Sequence, residues 1–400
     1  MSEPTAPGRR SYDVVVVGAR AAGAATAMLL ARAGFSVLAV DRSRAGADTL
    51  STHALLRGGV LQLQRWGLID RIITAGTPPI TRSTFRTAGQ TVTIEVKPAN
   101  GVSALYAPRR TVVDPLLVAA AREAGATVLH EVAARELVWD GGRVRGVVLG
   151  IGGRAATVTA DLVIGADGLD SMVAAAVAAP VTHTGRHGSD VTYGYWSELP
   201  VDGYEWVFRA GASSGIIPTN DGAACVFVSG TPAAAGRGGV TAIEQALADG
   251  APDLADRLAA STRPTATRTW RSRPGYLRRP WGPGWALVGD AGFHRDPLGA
   301  HGITDAFRDA ELLAGAVIAA RRHGDLDHGH LHHGHLDHHL AGYEATRDEL
   351  SVEVLRLTDR IASHRWTEAE ILELLPALSR ALDPELALLA ALPEPPVPAR

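Results

Sequence analysis

The chain has 400 residues, of which 46% are apolar and 20% are charged; this is a globular balance and excludes a disordered chain. Its 39 Lys and Arg residues nearly match its 42 Asp and Glu residues, and the net charge of −3 argues against a nucleic-acid partner. The single cysteine, Cys225, excludes an internal disulfide framework. No stretch approaches the roughly 18 apolar residues of a membrane span. We therefore expect a cytoplasmic protein that acts on a small molecule, with its oligomeric state left open.

The first predicted elements form a βαβ unit. Residues 12–18 (YDVVVVG) predict a buried parallel strand, residues 21–33 an Ala-rich helix, and residues 35–40 a second strand that ends before Asp41. The turn GARAAG starts at Gly18 and ends at Gly23, and Arg20 replaces the second glycine of the usual dinucleotide pattern. Free N–H groups at the helix start can cradle a pyrophosphate, and Asp41 can accept both hydroxyls of a ribose. The unit predicts a dinucleotide site.

The next stretch leads to a second strand-end acid. An irregular segment is followed by a predicted helix at 58–75, a hairpin at 81–97, a helix at 114–124, a strand at 127–130 and a hairpin at 136–149. A buried strand at 161–166 then ends at Asp167. This carboxylate either lies over a cleft or caps a helix that begins near Ser171.

The composition changes between about residues 181 and 271. Short strands rich in aromatic residues, at 193–196, 206–209 and 223–228, alternate with turns and predict a mostly antiparallel sheet inserted in the dinucleotide fold. Its aromatic character favours an aromatic or polyketide-like ligand. Tyr193, Tyr195 and Trp196 are candidates for lining the substrate cavity, with plain core packing as the alternative.

The third motif lies between a strand at 285–289 and a long helix at 302–322. The strand ends at Asp290, and a Pro- and Gly-containing loop leads into the helix, whose N-terminus suits an anion such as the N1–C2=O edge of a reduced flavin. A connector without a ligand is the alternative. Residues 323–339 hold eight of the fifteen histidines and predict a solvated connector, although such a tract can bind Zn or Ni.

Together the three motifs resemble the fingerprints of the FAD-dependent class A monooxygenases, the p-hydroxybenzoate hydroxylase-like superfamily, which also includes geranylgeranyl-reductase-like enzymes. The resemblance covers about residues 12–365. It implies an α/β fold with a Rossmann-like FAD-binding domain built on a parallel sheet, a mostly antiparallel β substrate domain and C-terminal helices. The expected parts are FAD-binding segments at 1–80, 101–180 and 276–322, a substrate-domain hairpin at 81–100, a substrate sheet at 181–275, the His-rich connector at 323–339, and helices and tail at 340–400.

The resemblance also implies roles for individual residues. Asp41 would bind the adenosine ribose, Asp290 the ribityl chain, and Ile303 and Thr304 the isoalloxazine through backbone groups. The expected cofactor-binding set is Gly18, Arg20, Ala22, Gly23, Asp41, Arg42, His53, Arg110, Asp167, Gly289, Asp290, Pro297, Gly302, Ile303 and Thr304. No metal is required. His53, His294 and His301 lie in loops expected near the flavin and are candidates for a catalytic base, each with a structural role as the alternative.

The implied activity is that of a monooxygenase. It would use NAD(P)H and O₂ to hydroxylate or epoxidise an apolar, aromatic or polyketide-like molecule through a C4a-hydroperoxyflavin. No second GxGxxG motif is present, so NAD(P)H would bind transiently, and the Arg that often follows the Asp-Gly motif is absent from residues 171–174. Two alternatives stay open: an FAD-dependent reductase or dehydrogenase of the geranylgeranyl-reductase type, and a non-enzymatic FAD-binding protein.

Overall fold

The computed structural model describes residues 7–231, 239–263, 266–323 and 333–396. Its strands are β1 Ser11–Val17, β2 Val37–Asp41, β3 Arg82–Arg86, β4 Thr91–Glu95, β5 Thr127–His130, β6 Ala133–Asp140, β7 Arg143–Ile151, β8 Arg154–Gly165, β9 Val181–Thr184, β10 Asp190–Ser197, β11 Tyr204–Arg209, β12 Ala212–Pro218, β13 Ala223–Gly230, β14 Arg268–Trp270, β15 Tyr276–Arg278, β16 Trp281–Gly282, β17 Trp285–Leu287 and β18 Phe293–His294. Its helices are α1 Ala21–Arg32, α2 Arg57–Arg65, α3 Ile69–Thr74, α4 Arg110–Glu123, α5 Met172–Ala176, α6 Gly239–Gly250, α7 Pro252–Ala259, α8 Gly302–His323, α9 His333–Ala362 and α10 Glu368–Ala391.

The first sheet is the parallel sheet that the βαβ unit predicts. Strands β5, β2, β1, β8 and β17 lie side by side and run parallel, and their central residues are apolar and buried on both faces. Helices α1, α4 and α8 cover one face. On the other face, β6, β7 and the first half of β8 form an antiparallel meander. This is the predicted α/β architecture.

The second sheet forms the substrate domain. Its strands follow the order β14, β10, β13, β12, β11, β3 and β4, and only the β11–β3 pair is parallel. Helices α6 and α7 pack on one face, whereas α9 and α10 pack on the other. The predicted hairpin at 81–97 joins this sheet as β3 and β4. No helix in the described ranges is both long and apolar enough to cross a bilayer.

Two local predictions differ from the structure. The helix predicted at 58–75 is two helices, because Gly67 adopts a positive φ of 70° and ends the first of them. Residues 333–339, which we interpreted as connector, form the first turns of α9, because Leu336 and Leu340 lie one turn apart and are both buried. The rest of the His-rich tract, 324–332, lies outside the described residues.

Candidate FAD and substrate site

The register of the parallel sheet brings the three sequence motifs to one edge. Val17 of β1 pairs with Val40 of β2 and with Gly165 of β8, and Gly165 pairs in turn with Leu287 of β17. Parallel strands that end in register place the residues that follow them side by side, which is where open α/β sheets bind their ligands. The glycine turn and the acids Asp41, Asp167 and Asp290 therefore meet at this edge.

The glycine turn is built by close backbone contact. Gly18 has a φ of 102°, and a Cβ at this position would lie 2.2 Å from the carbonyl oxygen of Ala166. A Cβ on Gly23 would lie 1.8 Å from the carbonyl oxygen of Gly18. Helix α1 has no side-chain cap and no acid in its first turn, so its first N–H groups remain available to an anion.

Asp41 holds the turn in shape. Its Oδ2 accepts a hydrogen bond from the Ala19 N–H at 2.9 Å, and its Oδ1 accepts one from the Ser43 N–H at 2.7 Å. Each carboxylate oxygen can accept a second hydrogen bond. Asp41 can therefore order the backbone and still receive a ribose hydroxyl, because its side chain also lines the cavity.

A cavity of about 570 Å³ runs along this edge. Most of the expected cofactor-binding residues line it, namely Gly18, Arg20, Ala22, Asp41, Arg42, His53, Arg110, Asp167, Asp290, Pro297, Gly302 and Ile303. Three others do not. A Cβ on Gly289 would lie 3.0 Å from the Cβ of Ala22, so Gly289, like Gly23, permits close packing behind the wall. Thr304 is fully buried against Gly59.

Asp167 performs both of the roles left open by the sequence. Its carboxylate accepts hydrogen bonds from Ser171 Oγ at 2.5 Å and from the Met172 N–H at 2.7 Å, which caps α5. It also lines the cavity. Burial raises the pKa of Asp167, and the hydrogen bonds that it accepts oppose this rise.

Arg110 and Asp290 both line the cavity, and they differ in whether their side chains already have a charged partner. Arg110 donates two hydrogen bonds to Asp114, at 2.9 and 2.8 Å, one turn along α4. The Asp290 side chain is 42% exposed toward the cavity, and its Oδ1 lies 3.6 Å from His294 Nδ1. Asp290 is therefore free to accept hydroxyl groups, as the ribityl role requires.

His53 has both ring nitrogens partnered. Its Nδ1 lies 3.1 Å from the Ala107 carbonyl oxygen and its Nε2 lies 3.2 Å from the Tyr195 hydroxyl. A carbonyl can only accept, so Nδ1 carries the proton and Nε2 accepts from Tyr195. Burial lowers the pKa of His53 to about 3, although the bond to Ala107 opposes this fall. This histidine is a neutral structural group that orients Tyr195.

The shift of the His53 pKa predicts acid sensitivity. The folded chain binds the His53 proton near pH 3 and the unfolded chain near pH 6.5, so His53 contributes its full stability above pH 6.5 and loses it as the pH falls toward 3. At pH 5 the loss is about 2 kcal/mol. His53→Asn retains a group able to donate to Ala107 and tolerates the φ of 50°. Urea unfolding at pH 7.5 and at pH 5 measures how much of the free energy of unfolding is lost on acidification. This loss should be smaller in the variant than in the parent. An equal loss would refute the assignment of the acid sensitivity to His53. His183→Asn, at an exposed position, is the control.

His294 and His301 each keep one nitrogen without a partner. Both side chains are buried and both line the cavity. His294 faces Asp290 with Nδ1, and its ring lies against Trp270 and Tyr276. His301 binds Glu385 with Nε2 at 2.7 Å. Within the described residues, His294 Nε2 and His301 Nδ1 have no hydrogen-bond partner.

The aromatic candidates separate by strand alternation. Tyr193 lines the cavity and accepts a hydrogen bond from the Ser51 N–H. Tyr195 projects to the same side but is not among the residues that line the cavity. Its ring stacks on His53 and lies under the guanidinium of Arg109, which is 4.3 Å from the ring centroid. Trp196 is fully buried on the opposite face among the residues that pack against α6 and α7. The expectation that Trp196 lines the cavity is therefore corrected, because adjacent strand residues point to opposite faces.

Several site residues were not found from the sequence. Asp48 lies 3.6 Å from Arg109 and 3.0 Å from Arg268 beside the Tyr195 ring. Trp270 lines the cavity, and Glu385 reaches His301 from the C-terminal helix. The RR pair at 109–110 was a signal for Arg109; nothing in the local sequence marks Glu385.

The cavity fits FAD on two structural observations. The glycine turn is a cradle in which a Cβ at Gly18 or Gly23 would collide with backbone oxygen. In the same cavity, His294 Nε2, Arg295 Nη2 and His301 Nδ1 are buried nitrogens without partners in the described residues, and their side chains belong to cavity-lining residues. Oxygen and nitrogen acceptors on an isoalloxazine would satisfy such groups. One cavity thus contains both a dinucleotide-binding turn and buried nitrogens that have no hydrogen-bond partner in the described residues. This combination defines a flavin-binding oxidoreductase.

Comparison with known proteins agrees with this class. The model of the family described as an FAD binding domain matches residues 11–333, and the chain belongs to this family. It is an FAD-dependent oxidoreductase, and its relatives support the monooxygenase class.

Two of the relatives are enzymes of different kinds. The 6-methylpretetramide 4-monooxygenase of Streptomyces rimosus is 28% identical over 335 residues, which cover 81% of this chain and 79% of that protein. A digeranylgeranylglycerophospholipid reductase of Methanosphaerula palustris is 27% identical over 339 residues, or 79% of each chain. Among solved structures, PqsL of P. aeruginosa in complex with 2-aminobenzoylacetate has a TM-score of 0.77 and 20% identity, covering 93% of this chain and 100% of that chain. At that identity the likeness shows the fold alone.

Proposed function

We propose that this chain is an NAD(P)H-dependent monooxygenase that transfers one oxygen atom of O₂ to an apolar aromatic or polyketide-like molecule. One observation carries the proposal: a single cavity is lined both by the dinucleotide residues Gly18 and Asp41 and by Val191, Tyr193 and Trp270 of the aromatic sheet. We call the part beside the aromatic sheet the substrate end, and a cofactor bound in the same cavity would reach a substrate held there. The similarity to a monooxygenase over four-fifths of the chain supports the same reading.

Different residues of the chain would bind different parts of FAD. When bound, FAD supplies the redox and oxygen-activating chemistry, and the protein supplies orientation and electrostatics. The first N–H groups of α1, with Arg20 beside them, would hold the pyrophosphate. Asp41 would accept the ribose hydroxyls and Asp290 those of the ribityl chain. These assignments remain predictions.

The substrate end would exclude water and orient an aromatic ring. Val191, Tyr193, Trp270 and Pro297 make its wall largely apolar, and exclusion of water protects reactive species from side reactions. Behind this wall, the Tyr195 hydroxyl donates a hydrogen bond to neutral His53. A flat apolar molecule that carries a few polar groups matches such a wall.

Oxygen transfer tests the proposal directly. The FAD-loaded protein is mixed with NADPH or NADH and a panel of phenolic and polyketide aromatics under ¹⁸O₂. We expect at least one compound to accelerate NAD(P)H oxidation and to gain one labelled oxygen atom. Acceleration without incorporation, with all reducing equivalents recovered as hydrogen peroxide for every compound, would count against a monooxygenase.

A reductase is the second candidate. It is favoured by the similarity to a digeranylgeranylglycerophospholipid reductase over 79% of the chain and by the absence of an Arg at residues 171–174. It predicts saturation of a lipid C=C bond without O₂ when the flavin is reduced chemically. A non-enzymatic flavoprotein predicts bound flavin and no substrate effect on NAD(P)H oxidation in either atmosphere.

A further inference from the structure

A network of buried charges lies directly behind the N-terminus of α8. Glu385 of α10 binds His301 through Oε1 at 2.7 Å and Arg308 through Oε2 at 2.9 Å. Arg308 also binds Asp309 at 2.8 Å and Asp305 at 3.2 Å. Arg295 completes the network with a 2.8 Å bond to Asp305. Every one of these side chains is at most 4% exposed.

The charges of this network balance only if His301 is protonated. Arg295 and Arg308 contribute two positive charges against the three negative charges of Asp305, Asp309 and Glu385. A buried group with a net charge is costly, whereas an imidazolium at His301 brings the sum to zero. The 2.7 Å bond to Glu385 has the length of a charge-assisted hydrogen bond.

Further charged groups lie around the network. Burial raises the pKa of Asp309, and the nearby cations Arg308 and Arg347 oppose this rise. Arg347 of α9 is itself paired with its neighbour Asp348 at 2.5 Å. Asp296 accepts hydrogen bonds from the Ser189 and Leu298 N–H groups, and burial raises its pKa to about 6. Arg65 binds Glu311 as a separate pair.

Glu385 is an anion among cations. Burial alone would raise the pKa of Glu385, but His301, Arg308 and Arg295 lower it to about 2.

Three residues of the network have the spacing of metal ligands. Ligand atoms of His301, Asp305 and Glu385 lie within 4.8 Å of one another. Arg295 and Arg308 leave the three carboxylates of Asp305, Asp309 and Glu385 one positive charge short, so a divalent cation would overshoot neutrality, whereas an imidazolium at His301 reaches it. The arrangement is that of an ion-pair network.

His301 places this charge at the flavin end of the cavity. It lines the cavity and directly precedes Gly302, the first residue of the 22-residue helix α8. The N-terminus of such a helix carries roughly half a positive charge. An imidazolium at His301 adds a full charge at the same place, and its Nδ1 has no partner among the described residues.

We propose that Glu385 keeps His301 protonated and that this imidazolium stabilises the negative charge that a bound flavin acquires on reduction. His301 is the group that faces the cofactor, and Glu385 is a positioning residue that acts through it. Helix α10 lies outside the residues matched by the family model, 11–333, so this contribution belongs to the C-terminal part of the chain. The inference rests on FAD binding and is independent of the substrate.

Two substrate-free measurements on the FAD-loaded full-length protein test the proposal. Sulfite adds to oxidised flavin and leaves a negative charge on the ring, so its affinity reports a nearby cation, as does the midpoint potential. We expect His301→Gln and Glu385→Gln each to weaken sulfite binding at least tenfold at pH 8 and to lower the two-electron midpoint potential by about 30 mV per tenfold change. Glu373→Gln, at an exposed position of the same helix, is the matched control and should match the parent.

The pH dependence of sulfite binding distinguishes a charge on His301 from a purely structural role of the His301–Glu385 pair. Relative to the parent at each pH, Glu385→Gln should regain part of its sulfite affinity when the pH is lowered from 8 to 6, whereas His301→Gln should not. Lower melting temperatures in both variants, with sulfite affinity and potential equal to the control, would overturn the proposal. If Glu385→Gln does not fold, the double variant His301→Gln, Glu385→Gln has an electroneutral network and serves the same test. Because no substrate or oxygen is used, failure here is distinguishable from failure of the monooxygenase assignment.

Discussion

Replacing Gly23 by alanine is expected to abolish FAD binding and to leave a colourless protein. The new Cβ would lie 1.8 Å from the carbonyl oxygen of Gly18 and 3.0 Å from the Cβ of Ala166. The first of these atoms belongs to the backbone of the glycine turn and cannot rotate away. Helix α1 must therefore shift from β1, and the N–H groups that face the pyrophosphate move with it. We expect FAD affinity to fall at least a hundredfold, which corresponds to about 2.8 kcal/mol.

Gly315→Ala is the matched control for this change. Gly315 also lies inside a helix, α8, but nothing lies within 4 Å of a Cβ built there. Both substitutions gain about 1 kcal/mol of helix propensity, so propensity does not distinguish them. Visible absorbance after purification and titration with FAD measure the outcome, and circular dichroism shows whether the fold is kept. If the Gly23→Ala protein folds and binds FAD as tightly as the Gly315→Ala control, the glycine turn does not have the proposed role in FAD binding.

Replacing Arg308 by alanine is expected to be the most destabilising change in the buried charge network, at about 3–5 kcal/mol. The Arg308 side chain is 1% exposed and binds three carboxylates, those of Asp305, Asp309 and Glu385. Its removal leaves Arg295 as the only arginine that binds these buried carboxylates within the described residues. Helix α10 loses its main polar contact with α8, so the C-terminal helices should loosen first.

Arg356→Ala provides the corresponding surface control. Arg356 is 67% exposed and forms an i,i+3 pair with Glu353 on α9. Exposed pairs of this kind contribute roughly 0–1 kcal/mol. Thermal melts followed by flavin fluorescence and by circular dichroism report release of the cofactor and loss of structure separately. Equal melting temperatures for the two variants would show that the network is not a stability determinant.

The local elements of the dinucleotide half were predictable because short-range patterns control them. The β-branched run of β1, the alanine-rich α1 and the acid after β2 each follow from neighbours in sequence, and the structure has them at residues 11–41. The strand-end acids Asp167 and Asp290 were found for the same reason. The break at Gly67 was missed because apolar periodicity continues through it, and only the positive φ of the glycine ends the helix.

In the substrate domain, the alternation of side chains along β10 is enough to separate Trp196 from the two tyrosines. Tyr193 and Tyr195 occupy alternate positions of β10 and share a face, so Trp196 had to point the other way. Which of the two faces meets the cavity was not predictable from β10 itself. It depends on α6 and α7 covering one side while the flavin-site loops approach from the other.

The sequence by itself determined the class of this protein, because the dinucleotide turn, the acid that closes β2 and the strand-end acids are each recognisable from a short local pattern. Tertiary structure alone decided the roles of the three candidate histidines. His53 is neutral because burial lowers its pKa, and β10 brings Tyr195 to it across 142 residues. His301 is charged in our proposal because α10 brings Glu385 to it across 84 residues. Ionisation depends on burial and on the charges nearby, and both are set by segments that are distant in sequence.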